Sequence, residues 1–347
     1  MQRVHHAAAE RDAGDYAAAV GRYRLFRGVY PGTELVPFVT TELYGTFADW
    51  GRAGRDSGDY SGAIRVYEDA LTEPDAPGSV RVELAATYLE RAADTRAEAT
   101  GLPGYQAAVT DALTVADEFG DTPSAALVPV SLADTYAAAA APVAQQRFCD
   151  AIPALDYFVG LTHPAAAAVV GTANADRARS LLECGLGRYR GGDGAGSLQA
   201  LEPFVAAYPN DPGILQARSA VVAATIAGAK GAPLPPLPGP LAGDNVGPVA
   251  YTIYNDSPYE VRVLLNGPTT HEVVIPPCPD CGTGYAVPPP DCPSRPGLPS
   301  VTLRLLVGVY DDLAFSPSQP DVDEVVDTNT FEPGFDYSAC YYPIVGN

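Results

Sequence analysis

The chain has 347 residues, enough for two domains, and its 47% of hydrophobic residues exclude a wholly disordered protein. Its 42 acidic and 21 basic residues give a formal net charge of −21, which disfavours binding to nucleic acid or to anionic membrane surfaces. No apolar stretch reaches the roughly 20 residues that a membrane-spanning helix needs, so no membrane span is expected.

A sequence motif recurs along residues 1–230 at a nearly constant period. Its clearest copies begin with Gly-Asp-Tyr at 14–16 and 58–60, each followed three residues later by alanine. The anchor residues of the copies lie 44, 45, 43 and 46 residues apart: Tyr16, Tyr60, Tyr105, Phe148 and Gly194. A fixed period of this size predicts stacked helical hairpins that bury their apolar faces against one another.

The motif pairs a large aromatic side chain with a small one. A small residue lets two helices approach closely, while the ring fills the groove beside it. We therefore predict that these residues pack the repeats together and do not form a ligand site. The predicted repeat-packing residues are Tyr16, Ala19, Tyr60, Ala63, Tyr105, Ala108, Phe148 and Ala151.

Each copy resembles the second helix of a tetratricopeptide repeat. Trp50-Gly51 before the second copy and Cys184-Gly185 before the fifth are similar to the first helix of that repeat. The period is longer than the roughly 34 residues of the family, so longer helices or loops are expected. The resemblance covers about two thirds of the chain and implies an α-solenoid of about five helical hairpins that takes part in protein–protein interaction.

The first copy starts without a polar helix in front of it, although the ends of solenoids are usually covered by polar caps. We expect Val4, Ala7 and Ala8 to form an apolar docking face there. Contact with a different surface of an identical subunit would then extend head to tail into a fibre. The alternative is that this patch is too small to matter. No secretory signal is evident at 1–6, so a cytosolic protein or a mature chain is expected.

Residues 231–248 are rich in proline and predict a semi-rigid linker of polyproline II type. After the linker the pattern changes to short alternating runs bounded by Gly, Pro and Asn. Seven runs predict an antiparallel β-sandwich over 249–347: 249–254, 260–265, 271–275, 301–307, 309–315, 324–330 and 335–345. The expected fold is therefore a multidomain α+β protein, with the helical repeats in 1–230.

The six cysteines are an even number, and four of them lie in the C-terminal region. This favours disulfides and an extracellular or cell-surface location over the cytoplasm. Cys149 and Cys184 lie in neighbouring helices of the predicted stack, so we predict a bridge between them, with two buried thiols as the alternative.

The other four cysteines, Cys278, Cys281, Cys292 and Cys340, permit three interpretations. We favour two disulfides that tie the proline-rich loop to the last strand, with the pairing left open. A zinc site usually needs two close cysteine pairs, and only one is present. A thioredoxin-type site needs a helix after its first cysteine, where this sequence has glycine and proline.

An acidic stretch matches part of a calcium-loop spacing. Its candidate ligands, at positions 1, 3, 7, 9 and 12 of that spacing, are Asp321, Asp323, Asp327, Asn329 and Glu332. Val325 and Val326 occupy the places of an oxygen ligand and of the turn glycine. We expect a solvated acidic loop that runs into a strand, and whether it binds calcium stays open.

The sequence contains no catalytic dyad, nucleophile elbow or phosphate loop, so we expect no enzyme activity and no cofactor or metal. The expected function is that of an extracytoplasmic protein–protein interaction scaffold, which self-assembles as a surface or fibre subunit. A monomeric adaptor that binds a peptide or protein in its concave groove is the first alternative. A metal-dependent enzyme that uses the acidic loop is the second.

Overall fold

A computed structural model describes residues 2–243, 245–282, 285, 297–318 and 324–342, and in these ranges twelve α-helices precede seven β-strands. The helices are α1 (Gln2–Asp12), α2 (Tyr16–Val29), α3 (Val36–Asp56), α4 (Tyr60–Leu71), α5 (Gly78–Glu98), α6 (Leu102–Glu118), α7 (Val128–Ala139), α8 (Ala141–Ala144), α9 (Phe148–Val159), α10 (Ala167–Arg190), α11 (Gly194–Ala207) and α12 (Ile214–Lys230). The strands are β1 (Val249–Asn255), β2 (Val261–Asn266), β3 (Thr270–Ile275), β4 (Ser300–Leu305), β5 (Gly308–Phe315), β6 (Val325–Phe331) and β7 (Asp336–Tyr341).

The chain divides into two compact units, Met1–Arg177 and Ala178–Asn347. The border lies inside α10, so the second unit contains the end of that helix, α11 and α12 together with the strands. This division follows packing and differs from the composition-based borders at residues 230 and 248, because α12 packs against one of the sheets.

Three helix-to-helix turns share a Gly-Asp pair: Gly14-Asp15, Gly58-Asp59 and Gly192-Asp193. The three glycines have φ angles of 80°, 80° and 81°, a left-handed conformation that only glycine adopts without cost. Each aspartate then accepts a hydrogen bond from the backbone N–H three residues later, which caps the next helix. The pair therefore ends one helix and begins the next, which explains why it recurs.

The fourth copy keeps this turn without the Gly-Asp pair. Gln146 takes a left-handed φ of 57°, and its backbone N–H donates to the carbonyl of Val143 at 3.0 Å. The next N–H, of Arg147, donates to Pro142 at 2.9 Å, as Asp59 donates to Gly54 at 2.8 Å in the second copy. The third copy differs, because an extended Gly101 precedes α6.

In the first unit each helix from α1 to α7 packs against the next one, and α1, α3, α5 and α7 also contact one another in sequence. One apolar core runs through these helices. The predicted packing alanines are at most 1% exposed: Ala19, Ala63, Ala108 and Ala151. Their aromatic partners are half-buried: Tyr16, Tyr60, Tyr105 and Phe148. A helical repeat-like region is therefore present, and the assignment of these residues to tetratricopeptide-type packing stays a prediction.

The two helices of a hairpin approach most closely at a glycine. A Cβ atom added to Gly51 of α3 would lie 2.2 Å from the ring of Tyr67 in α4, and Tyr67 is only 1% exposed. Gly185 in α10 stands in the same relation to Leu201 in α11, at 2.4 Å. In both cases the glycine precedes its partner by 16 residues, which shows that the two hairpins share one packing register.

Replacement of Gly51 by alanine is expected to lower the free energy of unfolding by about 1–3 kcal/mol, because the added methyl group would overlap the buried ring of Tyr67. Gly21 in α2 is the matched control, since nothing lies within 4 Å of an added Cβ there. Gly21→Ala should raise the free energy of unfolding by roughly 0.5–1 kcal/mol through helix propensity. Urea unfolding measures both, and equal shifts would contradict the close approach.

The strands form a three-stranded sheet in the order β4-β1-β7 and a four-stranded sheet in the order β3-β2-β5-β6. The pairs β1–β4, β2–β3, β2–β5 and β5–β6 are antiparallel, whereas β1 and β7 are parallel. The prediction of an antiparallel arrangement is therefore wrong for this one pair. The reason is that β1 and β7 are the first and last strands, so no short hairpin forces them to run in opposite directions.

Strand β2 of the four-stranded sheet is buried on both faces within the second unit. Val261, Val263 and Leu265 of β2 belong to the core between the two sheets. Leu264, between them in sequence, packs with Val222 of α12 on the other face. Strands buried on both faces carry nearly continuous apolar runs, as β2 does.

The proline-rich segment also packs in this unit. Gln216 of α12 donates a side-chain hydrogen bond to the carbonyl of Pro238 at 2.7 Å, and the backbone N–H of Leu241 donates to Leu215 at 3.0 Å. The predicted spacer is therefore held along α12.

Candidate functional site

Exposed apolar side chains recur at one position after each of the first three copies of the motif, in the second, third and fourth hairpins. Phe38, Val82 and Leu127 each lie 22 residues after the aromatic anchor of their copy. They are 53%, 37% and 57% exposed. Phe38 and Val82 lie near the N-terminal ends of α3 and α5, and Leu127 directly precedes α7. We call these three residues the apolar row.

The apolar row is separate from the core, because the neighbouring positions already supply buried side chains. Val39 in α3, Val80 in α5 and Val128 in α7 are at most 6% exposed. Single exposed apolar residues are common on proteins and need no explanation, but their recurrence at a fixed period does. After the fourth copy the equivalent residue, Val170, packs against the core, so the row is confined to the second, third and fourth hairpins.

Ion pairs join the first helices of successive hairpins. The arginine in each case lies in the C-terminal half of its helix and reaches an acid on the next one: Arg11 to Glu42 at 2.9 Å, Arg55 to Glu83 at 2.7 Å and Arg96 to Asp134 at 3.6 Å. Partly exposed pairs of this kind contribute at most about 1 kcal/mol each. They hold α1, α3, α5 and α7 in register and so fix the spacing of the apolar row.

Tyrosine hydroxyls add polar contacts between hairpins. Tyr44 donates to the carbonyl of Pro74 at 2.8 Å, and Tyr136 donates to Asp176. Tyr88 donates to Glu68 at 3.2 Å, and burial together with this carboxylate raises the pKa of Tyr88 to about 12. These tyrosines therefore stay protonated and act as structural donors.

The apolar docking face that the sequence predicts at the first helix is not formed as expected. Ala7 is fully buried, and Val4 is half-buried against the core. The reason is that α1 turns this side towards its neighbours α2 and α3. The exposed large apolar side chains of the first hairpin lie instead on α2, where Leu25 is 54% and Val29 is 50% exposed.

The cysteines of the described residues are all in disulfides. Cys278 and Cys281 bond to each other and close a short turn after β3, so this bridge does not tie the loop to the last strand as predicted. Cys149, Cys184 and Cys340 are also disulfide-bonded, and a Cys149–Cys184 pairing stays a prediction. Cys292 lies outside the described residues.

The structure also describes parts of the two metal sites that the sequence left open, a zinc site at the cysteines and a calcium site in the acidic stretch. Asp256 has its carboxylate within 4.8 Å of the sulfurs of Cys278 and Cys281, but bonded sulfurs are not the thiolates that zinc requires. Asp321 and Asp323 of the calcium spacing lie outside the described residues. Asp327 and Asn329 lie on strand β6 and Glu332 follows it, so the predicted strand is confirmed at the centre of that spacing.

Among the described helices, none is both long and apolar enough to cross a membrane. The comparisons with protein-family models and with curated proteins find no match for this chain. The likeness to tetratricopeptide repeats therefore depends on the motif, the turns and the packing described above.

Proposed function

We propose that the protein is a non-catalytic protein–protein interaction scaffold of the tetratricopeptide-repeat type that works outside the cytoplasm. The observation that carries this proposal is the apolar row, which repeats with the hairpins and stays exposed in a highly acidic protein. An extracytoplasmic location is supported by the disulfide-bonded cysteines, since such bonds persist in oxidising compartments.

The row has the properties of a contact surface for apolar side chains. Complete burial of a fully exposed Phe, Val or Leu contributes roughly 1.5–3 kcal/mol, and these three side chains still have between about a third and a half of their surface to bury. One row alone therefore does not offset the roughly 4–15 kcal/mol cost of association, and a stable contact also needs the row of the partner and the surface around both rows. The partner that we propose first is a second copy of the chain, which would place the same row on both sides of a two-fold interface.

A monomeric adaptor is the second candidate, and one observation favours it. The last helix, α12, is covered by the protein's own four-stranded sheet through Val222 and Ile226. On this helix Leu215, at 46%, is the one large apolar side chain that stays exposed for the head-to-tail stacking of a fibre. An adaptor would use the row for a peptide of another protein.

Sedimentation velocity over a range of protein concentrations tests the proposal. We expect the wild-type protein to form dimers or larger species as the concentration rises. The variant with Phe38→Ser, Val82→Ser and Leu127→Ser should stay monomeric, because it loses the apolar surface of the contact. Circular dichroism should show unchanged helix content, since all three side chains are exposed.

The variant with Leu25→Ser and Val29→Ser is the matched control, because it removes exposed apolar side chains outside the row. It should associate like the wild type. Monomers at every concentration would contradict self-association and leave the adaptor, whereas association that survives the triple substitution would remove the row from the proposal.

A further inference from the structure

A cleft of about 520 Å³ lies at one side of the two-sheet region. It is bounded by β6, an edge strand of the four-stranded sheet, and by β7, an edge strand of the three-stranded sheet. It reaches inward to β1, β2 and β5. Its volume falls within the range of about 300–1,000 Å³ that is typical of small-molecule sites.

Aromatic rings form much of the wall of this cleft. The ring of Phe331 lies 4.9 Å from that of Tyr251 and 5.0 Å from that of Tyr337, measured between centroids. Tyr341 lines the cleft as well, and Tyr342 follows it at the end of β7. Tyrosine faces attract cations through the ring quadrupole.

Two carboxylates stand directly opposite each other in this wall. Asp312 of β5 and Asp327 of β6 are register partners on neighbouring strands, and both line the cleft. Like charges in this position destabilise a sheet. Among the described residues, no arginine, lysine or histidine forms an ion pair with either of them. The like-charge pair is therefore left without a compensating cation in that part of the chain.

The two acids differ in depth. Asp312 is 8% exposed, and the one side-chain donor that reaches it among the described residues is the amide of Asn329, at 2.9 Å. Asp327 is exposed and lies nearer to solvent. A buried carboxylate normally needs a charged partner or several donors, whereas Asp312 has this neutral amide and one backbone hydrogen bond, so part of its acceptor capacity is unused.

The hydroxyl of Tyr341 is a further polar atom at the cleft. Tyr341 is 5% exposed, and its hydroxyl has no hydrogen-bond partner among the described residues. A buried polar atom of this kind needs an explanation, although the hydroxyls of Tyr23 and Tyr189, which do not line the cleft, share the property. The hydroxyl of Tyr341 belongs to a residue that lines the cleft.

We propose that this cleft binds a small organic cation, an ammonium or guanidinium group on an apolar stem, with its charge between Asp312 and Asp327 and its stem against the tyrosine rings. The ligand is either a free amine or a lysine or arginine side chain of another protein. The net charge of −21 increases the local concentration of cations around the protein. This site is independent of the apolar row.

A metal ion fits the cleft less well. Calcium takes six to eight oxygen ligands, and the side chains that line the described part of the cleft offer two carboxylates, one amide and the hydroxyls of Thr330 and Ser338 besides the tyrosines. Aromatic walls do not coordinate calcium, but they do stabilise an organic cation and its stem. The charge and the apolar lining together therefore favour the organic cation.

Titration calorimetry with pairs of matched probes tests this inference. n-Pentylamine and 1-pentanol share one stem and differ in charge, so the amine should bind in a saturable manner and the alcohol at least roughly tenfold more weakly, about 1.4 kcal/mol. Agmatine tests the guanidinium group. An acetylated lysine amide tests whether the side chain of a protein can enter, and comparison with the free amine separates the two sources.

Asp312→Asn should weaken pentylamine binding at least roughly tenfold and reduce the preference over pentanol to the part that Asp327 supplies. This variant keeps the shape of the side chain and removes a buried charge, so it should fold. Asp311→Asn is the matched control, because it changes the net charge by the same amount. Asp311 is the neighbouring residue on β5, and its carboxylate contacts Lys230 outside the cleft. It should leave the affinity unchanged.

Three results would overturn the proposal. The first is equal binding of amine and alcohol, and the second is equal loss of affinity in the two aspartate variants. The third is stoichiometric binding of calcium without binding of any amine, which would make the cleft a metal site.

Discussion

Replacement of Glu272 by alanine is expected to lower the free energy of unfolding by about 3 kcal/mol. The carboxylate of Glu272, on β3, is 9% exposed and accepts hydrogen bonds at 2.8 and 3.0 Å from Arg218 of α12. Its other oxygen accepts a hydrogen bond from Arg262 of β2. Removal of the shared acid leaves two guanidinium groups next to each other at a partly buried position.

The size of this effect follows from burial. Loss of one partner of a buried ion pair typically costs about 3–5 kcal/mol, and the lower end applies here because both arginines keep some contact with water. Their side chains are 37% and 35% exposed. Chemical denaturation measures the change, with Glu260→Ala as the control at an exposed acid nearby.

A double-mutant cycle between Arg218 and Glu272 separates the ion pair from simple loss of packing. We expect the effects of the two single substitutions on the free energy of unfolding to differ in sum from the effect of the double substitution. The difference, which is the coupling energy, should be about 1 kcal/mol or more. A loss in Glu272→Ala no larger than in Glu260→Ala would show that α12 is held on the sheet by its apolar contacts alone.

The local elements could be predicted from the sequence because each has a chemical signature. Alternation of apolar and polar residues identified the seven strands to within a few residues at their ends. The Gly-Asp pairs marked three turns because only glycine accepts that backbone conformation cheaply and aspartate caps the helix that follows. The fourth turn was harder to recognise, since Gln146 and Arg147 adopt the same backbone without the same residues.

The arrangement of α12 could not be predicted, because its partner is distant in sequence. Ile226 and Val222 show the periodicity of a buried helix, but periodicity does not say what covers the helix. The same is true of the parallel pairing of β1 and β7, which no local pattern encodes. Composition changes at residue 230, whereas the packing of the second unit continues across that point.

The cleft was missed for a related reason. The sequence pattern indicates Asp327 only as a candidate calcium ligand in a loop, and it indicates Asp312 only as one residue of a predicted strand. Their relation depends on the register of β5 against β6, which places the two residues opposite each other. The sequence feature that indicates this site is a pair of acidic residues on two strands that are predicted to be neighbours.

Asp311 and Asp312 give a final prediction, because adjacent aspartates on β5 should have opposite effects on stability. Burial raises the pKa of Asp312 to about 6 from its ordinary value of 3.8, against the lowering effect of the hydrogen bond from Asn329. The carboxylates of Asp327 and Asp311 raise it further, and Tyr251 is the uncharged group that faces it from β1. At Asp311 burial would also raise the pKa, but hydrogen bonds from Lys230 and Thr328 lower it overall.

A raised carboxyl pKa means that the folded state holds a proton which the unfolded state has released. The contribution of Asp312 to the free energy of unfolding should therefore fall as the pH rises from about 4 through about 6, and its full cost is present above about pH 7. Asp312→Asn removes that cost, so it should be about as stable as the wild type near pH 4 and more stable by roughly 3 kcal/mol above about pH 7.

Asp311→Asn should behave in the opposite way. A lowered carboxyl pKa contributes stability that is present above the ordinary value and is lost as the pH falls through the folded value, so this variant should be less stable than the wild type at pH 7. Urea unfolding of both variants from pH 4 to 8, in a buffer without amines, measures the two curves.

A stabilising Asp312→Asn would show that the protein retains a destabilising charge in the cleft, as expected of a residue kept for binding. If Asp312→Asn destabilised the protein at neutral pH, the carboxylate would already have a compensating partner within the protein. That result would contradict the proposal that the cleft binds an external cation.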